Sequence, residues 1–270
     1  MAFDGFLPAL AAVIPALFLA AGVYIYVALV RQISVRVVEP SDPPAREFGW
    51  PEALLATVFV FLFINGIAAS AARDVRTIQT RDLVWNTIIS IGLLLFIAGF
   101  LRLRRFDLNL LGGFSRIGFG RAAVTGGILL LAAYPLVLLA EVITQKLARG
   151  TLEKQGIVEL FNASSSLEQR IWIIVLAVTV APLAEEFFFR FFLYGVVKRY
   201  FGRGVGIVAS ALLFAAVHAH LPSFAPLFVL GICFTVAYEW SGSLIVSMTM
   251  HALFNALALT ALAFPEVIPQ

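Results

Sequence analysis

Glu185, Glu186 and Arg190 fall within six residues of one another in residues 181–190, a stretch that is otherwise apolar. An ionised side chain at the centre of a bilayer costs roughly 2.5–3.5 kcal/mol on insertion scales, so three of them in one apolar run need a reason. If the stretch is helical, Glu186 and Arg190 stand at i, i+4 with the acid first, the arrangement that favours an ion pair. Glu185 is then turned about 100° around the axis and stays free for other work. Two histidines lie downstream in apolar surroundings, His218 and His251. His251 and Asn255 are four residues apart and share a helix face, as do Phe214 and His218. A free carboxylate, two imidazoles and an amide in a site poor in water are a set that can hydrolyse an amide bond. The carboxylate serves as general base on water, a histidine helps to hold that water, and N–H donors meet the developing oxyanion.

Glu-Glu-x-x-x-Arg, Phe-x-x-x-His and His-x-x-x-Asn, in that order and in a membrane-like context, resemble the three-motif signature of the CAAX-protease and bacteriocin-processing family of intramembrane proteases. The resemblance covers about residues 167–263. It implies Glu185 and His218 as the water-activating pair, His251 and Asn255 as the oxyanion donors, and Glu186 and Arg190 as supporting residues. It also implies a substrate that is a membrane-anchored or lipidated peptide. The family has often been labelled metalloprotease, and Glu185, His218 and His251 form a sensible zinc set. There is no His-Glu-x-x-His here, and zinc on those three ligands would consume the general base. The expectation is therefore a site without metal, with zinc as the alternative.

The elements that position these groups are read from composition first. The chain has 270 residues, 61% of them hydrophobic and only 13% charged. Mean hydropathy is +0.97. Charged residues make up about 25% of ordinary soluble domains, so this is an all-α, polytopic membrane bundle rather than a soluble domain. The net charge of +3 fits Arg-rich loops on one side of a membrane better than nucleic-acid binding. The single cysteine, Cys233, cannot form an internal disulfide and reads as a small core residue.

A span needs about 20 mainly apolar residues. Residues 7–30, 51–72, 83–101 and 122–144 qualify, and 7–30 is too long for a signal-peptide core of about 7–15 residues. A short helix on the membrane surface is expected within 102–121, and an amphipathic piece near 157–161. Ser165 and Glu168 have the spacing of a capping box. From there apolar character runs to residue 200, about 50 Å of helix if unbroken, with Pro182 placed to bend it. Residues 204–218, 224–238 and 244–264 complete about eight spans in a single membrane domain. The phenylalanine-rich run 187–192 reads as lipid-facing packing or the lining of a groove. Glu141, Glu239 and Trp240 read as interfacial anchors, and His220 as a loop residue.

Depth ties the motifs together. Glu185 is about 20 Å along a helix from Lys198, and His218 about 21 Å from Gly204 on the same side. His251 is about 10 Å in from residue 244. Loops one, three and five carry eleven Lys and Arg against seven in loops two and four, which places both termini outside. The leading reading is an intramembrane endopeptidase in a bacterial or archaeal cell membrane. The rival is a non-catalytic immunity or scaffold protein of the same fold that binds a peptide or lipid. A proton-coupled transporter is disfavoured, because the segments show no paired broken helices in two matching halves.

Overall fold

The computed structural model describes residues 6–36, 46–70, 80–147, 164 and 166–264. Among them the architecture is all helical. α1 is Phe6–Val35, α2 Trp50–Ser70, α3 Thr80–Leu103, α4 the short Leu108–Gly112 and α5 Phe119–Leu147. A continuous helical run then changes register twice. It comprises α6 (Leu167–Val175), a π-helical turn π1 (Leu176–Val180), α7 (Ala181–Glu186), a second π-helical stretch π2 (Phe187–Leu193) and α8 (Tyr194–Val217). α9 (Leu221–Ser241) and α10 (Leu244–Ala263) follow.

Among the described residues seven stretches are helices long and apolar enough to cross a membrane, and Leu167–Val217 is counted as one of them. That stretch holds two of the eight expected spans. Gly202 breaks it, with φ 82° and ψ 170°, backbone angles open to glycine alone. Beyond it the chain turns back: Ser210 Oγ donates to the Phe189 carbonyl at 2.8 Å, and Gly206 lies against the Tyr194 ring. The result is a helical hairpin whose two legs are the fifth and sixth spans. α4 is the short helix expected within 102–121, with Asp107 as its N-cap. α6 starts one residue later than the capping-box spacing implied. Ser166, not Ser165, is the N-cap, and its hydroxyl accepts from the Gln169 N–H. Ser165 and the piece expected near 157–161 lie outside the described residues.

Small residues set the helix crossings, as they must where lipid supplies no hydrophobic drive between helices. Gly22 of α1 sits against the Ala132 carbonyl of α5, and Gly126 of α5 against Val246 and Thr249 of α10. The phenylalanine run departs from expectation. Phe187, Phe188, Phe189, Phe191 and Phe192 are all buried, not lipid-facing. Phe188 meets the rings of Phe59 and Phe63 on α2, and Phe191 and Phe192 meet Phe48 just ahead of it. π2 is thus wrapped on every side and forms the centre of the core.

One end of the bundle is tied by charge. Glu239, expected as an interfacial anchor, is a nearly buried hub at that end. It accepts from Lys198 Nζ at 2.7 Å, Arg203 Nε at 2.9 Å and the Tyr194 hydroxyl at 2.7 Å. Nearby, Arg104 Nε reaches the buried Glu52 carboxylate at 2.9 Å, and Glu52 also accepts from the Gly49 N–H at the start of α2.

Candidate active site

Glu186 and Arg190 are both fully buried, and Arg190 Nη1 is 2.9 Å from Glu186 Oε1. The N–H does not point at the oxygen, so the contact is Coulombic rather than an in-line hydrogen bond. The guanidinium lies over the Phe214 ring at 4.1 Å and near the rings of Phe234 and Phe189 at 5.1 and 5.8 Å. A desolvated cation over aromatic faces gains about 2 kcal/mol or more, which offsets part of its burial. The pairing expected from the i, i+4 spacing is therefore present, inside an aromatic cage. Sequence reasoning missed that cage, because Phe234 is one of 25 phenylalanines and nothing local marks it.

Glu186 has a second partner. His251 Nδ1 lies 2.9 Å from the same Oε1. The imidazole is stacked on Phe234 at 5.1 Å, with its edge to Phe214 at 5.6 Å. His218, at the end of α8, donates from Nδ1 to the Phe214 carbonyl at 2.7 Å. In both rings Nδ1 is taken, so in the neutral form each presents the lone pair of Nε2. Those lone pairs converge. His218 Nε2 is 4.0 Å and His251 Nε2 3.9 Å from Glu185 Oε2. Glu185 Oε2 has no hydrogen-bond partner among the described residues. Three acceptors thus face one gap of about the width that a bridging water fills. Glu186 and Arg190 are sealed off, whereas the side chains of Glu185 and His218 are 29% and 30% exposed.

Asn255 is placed differently. Its Nδ2 donates to the Ala177 carbonyl at 2.7 Å. The local cause is legible in the backbone. In π1 the Ala181 N–H bonds Leu176 O, so the N–H due to Ala177 O belongs to residue 182, which is proline and has none. Asn255 supplies the missing donor and keeps its second amide proton. His220, as expected, stays out of the cluster, with Nδ1 2.7 Å from Ser223 Oγ in the link before α9.

The alternative zinc set was tested against this geometry. Tetrahedral zinc with bonds of about 2.0–2.1 Å holds its donors about 3.4 Å apart, closer than the 3.9–4.0 Å seen here. Among the described residues no group of three His, Cys, Asp or Glu is spaced to hold a metal ion. A catalytic zinc site also wants an acceptor on the far nitrogen of each histidine ligand. Both histidines have an acceptor on the far nitrogen, Phe214 O for His218 and Glu186 for His251.

Fold and cluster together define a multi-pass membrane protein with a buried acid–histidine site in its C-terminal half. Residues 167–257 match the family model of the Rce1-like type II CAAX prenyl endopeptidases. The match includes all seven residues of the three motifs. No curated protein and no solved structure matches the chain.

Proposed function

We propose that this protein is an intramembrane endopeptidase that hydrolyses a peptide bond near the membrane surface, in a membrane-anchored or lipidated peptide such as a prenylated tail. The observation that carries this reading is the convergence of His218 Nε2 and His251 Nε2 on the unpartnered Glu185 Oε2. A water in that gap can donate one proton to Glu185 and the other to Nε2 of His218, and the two acceptors together fix it. Glu185 takes the proton as the water oxygen attacks the scissile carbonyl, then passes it to the leaving amine. The free amide proton of Asn255, and Nε2–H of His251 where that ring enters the cycle as an imidazolium paired with Glu186, its extra proton taken from solvent beforehand, are the donors for the oxyanion. Glu186 orients His251 through Nδ1, and Arg190 holds Glu186.

The site works in this proposal without metal. Glu186 is committed to Arg190 and His251, so Glu185 is the one carboxylate of the cluster free to act as base. As a zinc ligand it would lose that role.

The rival, a peptide- or lipid-binding scaffold, draws on the fact that Glu186, Arg190 and Asn255 all serve structural contacts. Glu185→Gln separates the two. It keeps shape and size and removes the base. With purified protein and membrane-anchored C-terminal peptides as substrates, hydrolysis falls by about 10²–10⁴-fold while peptide binding is retained. Undiminished cleavage by this variant rejects the mechanism, and absence of cleavage by the unsubstituted protein across the peptide panel favours the scaffold.

A further inference from the structure

α9 carries a second feature on a face the catalytic cluster does not use. Phe234 looks into the site, where it stacks on His251. Cys233, turned about 100° around the axis, lines a cavity of about 310 Å³ with Val229 and Val236 of the same helix, closed on the other side by Tyr26 and Val27 of α1. Its lining is apolar throughout, the aliphatic stem of Arg31 at one end included.

The rim has the composition of a headgroup site. Arg31 lies one turn beyond Val27 on α1, and Trp240 one turn beyond Val236 on α9. Trp240 Nε1 donates to Gln32 Oε1 at 2.8 Å, and Arg36 Nη2 donates to the Trp240 carbonyl at 2.9 Å. Arg31 is exposed and makes no ion pair among the described residues. This is also the end of the bundle where Lys198, Arg199, Arg203 and Arg104 gather, that of the Arg-rich loops one, three and five. A hydrocarbon slot leading up to a free cation and an interfacial tryptophan matches a lipid with a negative headgroup.

We propose that this groove between α1 and α9 holds an acyl chain of an anionic phospholipid whose headgroup sits at Arg31 beside Trp240. The occupant is a lipid and not the hydrocarbon tail of a substrate, because the groove lies on a different face of α9 from Phe234 and the wall of that helix separates it from Glu185. The proposal stands apart from the protease reading, since it uses none of the catalytic residues.

The test uses the full chain purified in detergent and mixed with equimolar phosphatidylglycerol and phosphatidylcholine bearing identical chains, with retained lipid counted by native mass spectrometry. Phosphatidylglycerol is retained in preference by about fivefold, the worth of one headgroup–arginine contact, and Arg31→Gln brings the ratio close to one. Val27→Trp, on the exposed side of α1, fills the slot and removes retention of both lipids, and Val229→Trp does the same from the α9 side. Equal retention of the two lipids by the unsubstituted protein overturns the proposal, as does a preference that survives Arg31→Gln and Val27→Trp. Release of bound phosphatidylglycerol by equimolar farnesol also overturns it, by making the groove an isoprenoid site.

Discussion

Oε1 of Glu186 sits 2.9 Å from Nδ1 of His251, and the same oxygen is the one that holds Arg190. A single buried carboxylate oxygen thus joins the aromatic-caged cation to the imidazole that faces Glu185. Removing either charge of the Glu186–Arg190 pair leaves the other buried and uncompensated. Glu186→Gln and Arg190→Met are each expected to lower stability by about 3–5 kcal/mol, while the double variant recovers much of that loss. Thermal unfolding in a fixed detergent measures all four proteins. Additive losses in the double variant would show that the pair is not the source of the effect. Intact folding with abolished hydrolysis in Arg190→Ala would mean that the guanidinium contacts substrate.

The Asn255–Ala177 bond gives a prediction with an internal rescue. Asn255→Ala strands the Ala177 carbonyl and costs about 1–3 kcal/mol. Pro182→Ala in that background restores an N–H at the position the π register assigns to Ala177, and stability returns in part. Turnover tells the second role apart from the first. An oxyanion donor is worth about 10²–10³ in kcat, which the Pro182→Ala rescue cannot restore. If kcat returns together with stability, Asn255 is a structural residue alone.

Metal dependence is decided on active protein. The expected result is less than stoichiometric zinc by elemental analysis and unchanged cleavage after chelation and dialysis. Stoichiometric zinc whose removal abolishes cleavage, and whose return restores it, would make Glu185 a ligand and overturn the proposed base.

Much of the site could be read from spacing because its elements are local. Glu186 and Arg190 are neighbours on one helix turn, and the depth of His218 and His251 follows from counting residues from the start of each one's own helix. What spacing could not give is long-range or depends on register. The second partner of Glu186 is 65 residues away. The structural contact of Asn255 is invisible to spacing, because nothing in its own helix shows that a carbonyl on another one lacks a donor. The phenylalanine run read as lipid-facing because in a membrane the interior and the exterior of a bundle are equally apolar, so hydrophobicity carries no sign of direction. Ser166 displaced Ser165 as the cap because both are serine and only the backbone chooses between them.

The two π-helical stretches make chain length itself part of the active site. Each is one residue wider per turn than an α-helix, so each sets the angular phase of everything beyond it. π1 separates two anchored segments. Upstream, Ile173 and Leu176 pack with Leu83 of α3 and Leu259 of α10; downstream, the acids face the histidines. Deleting one residue between 176 and 180 would rotate one segment against the other by about 100°. Either Ile173 leaves its pocket or Glu185 turns from both imidazoles, although every motif residue is still present. A homologue that keeps all seven motif residues but is one residue shorter here has the letters of the site without its geometry.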